Sequence, residues 1–193
     1  MRCSALALTL ALLALAPVSA RADQGGGDGW RGGWVGGEVG AHLHAVRGNS
    51  AFGPVARITA GVARGRFDVA AAVGADLTFQ VDEGSGRAAV AAAGAGVRLW
   101  SQGRFALRLG LELEGRRSTF HVDKDDLDDT SSDLALVPGV EATIARGRWR
   151  LGLAVRERVA VYDSFYGWWP GVDAMTYGDL PGESVTVTFR RAL

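Results

Sequence analysis

Cysteine, lysine and proline are scarce in this 193-residue sequence, and each scarcity excludes something. The single cysteine, Cys3, excludes a disulfide scaffold and any multi-cysteine metal site. Five prolines are too few for a proline-rich linker or a collagen-like repeat. No run of 18 apolar residues occurs, which excludes a membrane-spanning helix. Charge of one sign is not in excess either, with 21 basic and 21 acidic residues, so the footprint of a nucleic-acid binder is missing and no nucleic-acid partner is expected. What is abundant is arginine, which supplies every base except Lys124, and glycine, with 28 residues against a usual share of ~7%. A hydrophobic content of 48% excludes a disordered chain, and the length suits one domain.

The N-terminus reads as an export signal. Arg2 supplies a short positive region, Ala5 to Ala16 is an unbroken run of Ala, Leu and Thr, and Pro17 ends it. Val18-Ser19-Ala20 gives the small-x-small pattern of a cleavage site, with Ala20-Arg21-Ala22 as a second candidate. Residues 1–20 are therefore expected to leave as a signal peptide, taking Cys3 with them. Residues 21–33 form a glycine-rich tether, and 34–193 the folded domain.

Within that domain the period is two rather than 3.6. Phe105, Leu107, Leu109, Leu111 and Leu113 fall on one face of an extended chain, and Arg108, Glu112, Glu114 and Arg116 on the other. A helix would scatter these leucines around the cylinder; a strand separates them completely. Six further stretches repeat the pattern, beginning near Val35, Ile58, Phe67, Leu134, Trp149 and Val185. Ala88–Trp100 is alanine-rich, but Gly94, Gly96 and the Val97/Leu99 step favour an eighth strand.

The turns carry a degenerate internal repeat, x-Gly-Arg-aromatic. It occurs at Arg64-Gly65-Arg66-Phe67, Gln102-Gly103-Arg104-Phe105 and Arg146-Gly147-Arg148-Trp149, each the signature of a tight glycine hairpin. Longer connections are expected over Val46–Pro54, Asp82–Gly86, Arg117–Asp133 and Asp163–Glu183. Three tight turns alternating with four loops fit the seven connections of eight antiparallel strands.

The expected fold is all-β: an eight-stranded antiparallel up-and-down transmembrane β-barrel. Short turns on one side and long loops on the other match such barrels. The stretch Phe105–Arg116 would reach about 40 Å extended and ~30 Å once tilted, close to a hydrocarbon core. Phe67, Phe105, Trp149 and Phe189 would form an outward aromatic girdle at the tight-turn end. Trp34 and Trp100 lie near that level, with inward parity. A proline at position 138 inside a closed strand predicts a bulge there, and Glu157 is expected to face outward.

The opposite face would line the lumen. Its acids are Glu38, Asp68, Asp76, Glu112, Glu114 and Glu141; its bases are Arg57, Arg98, Arg108, Arg116, Arg150, Arg156, Arg158 and Arg190. This near-balance suits an eight-strand interior just wide enough to be filled by side chains, where the planar arginine fork pairs with carboxylates. His42 and His44, with Glu38 nearby, have a spacing that could ligate a metal, but no third strong ligand accompanies them in sequence, and they read as lumen-filling side chains. No cofactor is called for.

With its signal segment, alternating strands and short-turn/long-loop rhythm, the chain resembles the small OmpA/OmpX/OmpW-like outer-membrane β-barrels. Such barrels usually end in an aromatic residue read by the outer-membrane assembly machinery; here Leu193 occupies that register. The resemblance implies outer-membrane lipid and that machinery as partners, and a structural or loop-mediated role involving an extracellular ligand or surface partner. It also brings lipid-modifying barrel enzymes to mind, for which Ser118, His121 and Asp123 are the local candidates, although their spacing carries no specificity and no enzyme is expected. The loop cluster Phe165, Tyr166, Trp168, Trp169 and Tyr177 is the candidate binding surface. The acidic stretch Asp123–Asp133 lacks the glycine and terminal glutamate of a calcium loop. Two alternatives stay open: a narrow solute channel, and a soluble barrel with its apolar faces turned inward around a ligand.

These alternatives differ at Leu109. If this residue faces lipid, Leu109→Arg costs about 2–4 kcal/mol at mid-bilayer and blocks membrane assembly, measured as loss of the protein from the membrane fraction.

Overall fold

The structure, a computed structural model, describes residues 32–46, 49–80, 84–122, 127–163, 167–168 and 182–193. The expected signal peptide and the tether up to residue 31 lie outside the described residues. Every described element is a strand: β1 (Gly32–Val46), β2 (Asn49–Arg64), β3 (Phe67–Gln80), β4 (Gly84–Gln102), β5 (Phe105–Val122), β6 (Leu127–Arg146), β7 (Trp149–Asp163), the two-residue β8 (Gly167–Trp168) and β9 (Gly182–Ala192). Strands β1 to β7 pair antiparallel in chain order. The C-terminal β9 then sits between β7 and β1 and closes the sheet on itself, while β8 pairs only with the end of β7. Eight long strands therefore make a closed up-and-down barrel, which leaves no free edge among them.

The three tight hairpins form as their sequences require. Gly65, Gly103 and Gly147 adopt φ of 64°, 56° and 60°, the left-handed region that side chains disfavour, so each Gly-Arg pair reverses the chain in two residues.

Alternation then sorts the side chains. Ile58 is 71% exposed and Phe67 68%, and Val39, Val73, Leu111, Leu151 and Val187 join them on the outer surface. Their strand neighbours Glu38, Asp76, Glu114, Glu141, Arg156 and Arg158 are buried inside. An exterior of large apolar side chains around an interior of paired charges is the inverse of a water-soluble barrel. It removes the alternative with inward apolar faces, and this barrel crosses a bilayer with its strands.

Three local expectations need correction. Trp100 faces outward, 49% exposed, because the β4–β5 register shifts between Arg98 and Trp100; the extra residue, Leu99, reverses the parity that follows. Position 138 carries no bulge. The β6–β7 register is the same at Leu136↔Val159 and Gly139↔Arg156, and only the pairs between them are missing, as expected where proline offers no N–H. The shift in this ladder lies higher, between Leu134 and Ala135. Finally, most of Arg117–Asp133 is strand: β5 and β6 remain paired from Arg117↔Ser132 to Val122↔Leu127. Their Ser, Thr and Asp residues keep the backbone ladder satisfied in a stretch with few apolar side chains to set against lipid. In the same way β2 begins at Asn49 and β4 at Gly84, inside two other expected loops.

At the tight-turn end Phe67, Phe105, Trp149 and Phe189, the residues expected to form a girdle, are all exposed on the outer surface. Trp34, by contrast, is 3% exposed and points inward, as its parity requires. A second aromatic pair caps the opposite end, where Phe52 and Phe79 lie cross-strand with ring centroids 6.2 Å apart. The 18 residues of β5 extend about 60 Å along the strand, well beyond what a tilted span of a ~25 Å apolar band needs. The strands therefore project past the bilayer on the long-loop side.

A barrel closed in this way resists detergent at room temperature. Unboiled protein is expected to run as a compact band on a denaturing gel and to shift to lower mobility on boiling. A single heat-indifferent band would contradict closure.

Candidate functional site

The lumen gathers side chains from every long strand, because alternate residues of a closed sheet must converge on its axis. Near the tight-turn end, Arg108 on β5 grips Asp68 on β3 with two bonds, Nε to Oδ2 at 2.8 Å and Nη2 to Oδ1 at 2.6 Å. Beside it, Glu141 on β6 accepts from Thr188 Oγ1 at 2.6 Å and from Arg190 Nη2 at 2.7 Å, both on β9. The Arg190 guanidinium also lies 4.7 Å from the Trp34 ring centroid, so the buried tryptophan serves as a cation–π floor.

At mid-lumen, Arg156 on β7 donates to Glu38 on β1 at 2.8 Å and to Thr186 at 2.9 Å, with Glu112 3.6 Å from its Nε. Higher still, Glu114 is 1% exposed and meets three arginines: Arg57 at 2.8 Å, Arg158 at 3.0 Å and Arg116 at 3.6 Å. Arg116 bonds Asp76 at 2.6 Å, and Arg158 also donates to Asp133. These pairs join residues up to 118 positions apart in the chain and link strands across the barrel.

Inward glycines make room for this layer. A Cβ on Gly96 would collide with the Arg108 guanidinium; one on Gly139 would stand 2.6 Å from the Arg156 Cγ, and one on Gly61 2.5 Å from the Trp34 ring. The high glycine content thus has a steric cause here: arginine stems and an indole lie flat over bare backbone on neighbouring strands. Two small cavities lie among these side chains, one of about 10 Å³ between Glu38, Arg108 and Glu112, and one of about 20 Å³ nearer the tight turns, beside Asp68, Arg98 and Arg150.

Twelve of the sixteen lumen residues read from the sequence take part in these ion pairs. Of the rest, Arg98 turns to the mouth and donates to the Gly65 carbonyl at 3.0 Å, and Arg150 is half-buried at the same mouth. His42 is buried, its Nε2 3.1 Å from Thr78 Oγ1, while the side chain of His44 lies outside the described residues. Asp133, Thr186 and Thr188 were not among the residues read as the network. Continuing the inward row Glu141, Gly139, Val137, Ala135 by one step would have reached Asp133, had the strand not been ended there.

The other candidates separate. Ser118 and His121 are three residues apart on β5 and therefore stand on opposite faces of the sheet; Asp123 lies outside the described residues. In the aromatic loop only the backbone of Trp168 is described, opposite Tyr162, and Phe165, Tyr166, Trp169 and Tyr177 lie outside the described residues.

Because Glu114 compensates three buried cations, Glu114→Ala is expected to lower the unfolding free energy by about 3–5 kcal/mol. Arg87→Gln, on an exposed side chain outside the network, should change it by less than ~0.5 kcal/mol. Urea unfolding in vesicles, followed by tryptophan fluorescence, measures both.

No protein-family model matches the sequence, and no curated protein matches it. Solved structures do share the fold. Neisserial surface protein A superposes with a TM-score of 0.64 at 15% identity, covering 83% of this chain and 97% of that one. Ail, the attachment invasion locus protein of Yersinia pestis, in complex with the heparin analogue sucrose octasulfate, superposes with a TM-score of 0.53 at 9% identity over 83% and 98%. Belt, lumen and closure together give this chain the fold of the small eight-stranded outer-membrane β-barrels.

Proposed function

We propose that this protein is an exported, non-enzymatic barrel of the bacterial outer membrane. Its lumen is plugged by its own ion pairs, and its role is structural or carried by the long loops. The observation that carries this proposal is the filled interior. Cavities of only about 10 and 20 Å³ among inward carboxylates engaged by arginine or threonine support a plug over a solute path or an internal ligand pocket. Recognition then belongs to the strand extensions and loops beyond the bilayer. Tight turns face the periplasm and the long loops face the cell surface, the usual asymmetry of such barrels.

Two fold neighbours bear names that speak of the cell surface and of attachment, and one was solved with a sulfated sugar analogue. The chemistry of this chain favours a different ligand. Asp123–Asp133 holds six aspartates against one lysine, so a cationic or amphipathic surface suits it better than a polysulfate. The aromatic residues of 162–177 would add apolar contact. On the assembly side, the outward row Val185, Val187, Phe189 leading to Leu193 is the segment the assembly machinery would read.

Planar-bilayer recording tests the plug. The intact protein is expected to give no stepwise conductance. Steps that are lost or altered in Arg108→Ala or Glu112→Ala would replace the plug with a narrow channel.

A further inference from the structure

Charge on this barrel is polarised along its axis. At the tight-turn end, Arg64, Arg66, Arg104, Arg146, Arg148 and Arg191 are all exposed. Among the described residues, the side-chain carboxylates near that end, Asp68 and Glu141, face the lumen, where Arg108 holds Asp68 and Arg190 holds Glu141. Three of the arginines continue lipid-facing rows by one step: Arg64 follows Val62, Arg146 follows Ile144, and Arg191 follows Phe189. Each is also the cross-strand partner of a girdle aromatic, Arg64 of Phe67 and both Arg146 and Arg191 of Trp149. The Arg191 guanidinium lies 5.5 Å from the Trp149 ring centroid.

These positions are spread around the rim, at the β2–β3, β4–β5 and β6–β7 turns and on β9, rather than gathered on one side. A protein partner docking laterally would meet only part of such a ring. A leaflet of lipids meets all of it. Guanidinium groups paired across the sheet with the girdle aromatics stand at the membrane interface, within reach of headgroup phosphates, which they can bind with paired donors.

We infer that this arginine collar binds the phosphates of anionic phospholipid headgroups in the leaflet facing the tight turns. The inference rests on the membrane placement proposed above and adds a lipid specificity to it. The bound lipids would form a charged annulus that fixes the depth of the barrel and its direction in the membrane.

The test uses the full chain expressed in cells, purified from membranes in mild detergent, and mixed with equal phosphatidylglycerol and phosphatidylcholine. Retained lipid is counted by native mass spectrometry. The intact barrel is expected to retain phosphatidylglycerol preferentially, and each of Arg64→Gln, Arg146→Gln and Arg191→Gln to lower that preference by up to about fivefold. The pair Arg87→Gln and Arg117→Gln, exposed toward the long-loop end, should leave it unchanged. A ratio near one in the intact protein, or a ratio untouched by the collar substitutions, overturns the collar while the heat-shifted band still upholds the membrane barrel. Release of the lipid by millimolar inorganic phosphate would reveal a free-anion site instead. Absence of the heat shift in the intact protein would overturn both proposals.

Discussion

The barrel depends on one electrostatic constraint: charged side chains from seven of the eight long strands share a narrow lumen and must find their counter-charges there. Glu114 shows how tight this is. Three guanidinium groups from β2, β5 and β7 meet its carboxylate, and two of them continue to Asp76 and Asp133. Removing a member strands the others as buried, uncompensated charges.

Buried ion pairs are poor evidence of net stability, since desolvation offsets most of the Coulomb gain. Here they act on register. A one-residue slip of any strand would send its arginines and glutamates into lipid and its leucines into the lumen. The apolar belt and the ion-pair network thus enforce the same alignment from opposite faces. The glycines at 61, 96 and 139 belong to that alignment, because they hold room for particular neighbours across the sheet. Even the two irregular ladders obey it: the shift at Leu99 sends Trp100 out to the girdle, where an indole can meet the interface.

The two ends of the barrel are not equivalent. One is capped by three two-residue hairpins, arginine and aromatics; the other extends in paired polar strands toward acidic and aromatic loops.

Much of this was legible in sequence, for a physical reason. An extended chain alternates its side chains with period two, so one line of residues showed which leucines face lipid and which arginines face the lumen. Glycine before arginine and an aromatic marked the tight turns. Parity also placed Trp34 inside. Three things had no local signal. The bulge at Leu99 arises from pairing with β5, so parity alone sent Trp100 the wrong way. The ends of β5 and β6 were hidden because their residues lose hydrophobic alternation once clear of the bilayer, although the ladder continues. The partners themselves, such as Glu38 with Arg156 or Glu114 with Arg57, Arg116 and Arg158, were beyond reach. Sequence determined which residues face inward, because that depends on each strand alone; only the closed barrel decided which of them meet, because that depends on strand tilt, register and closure together.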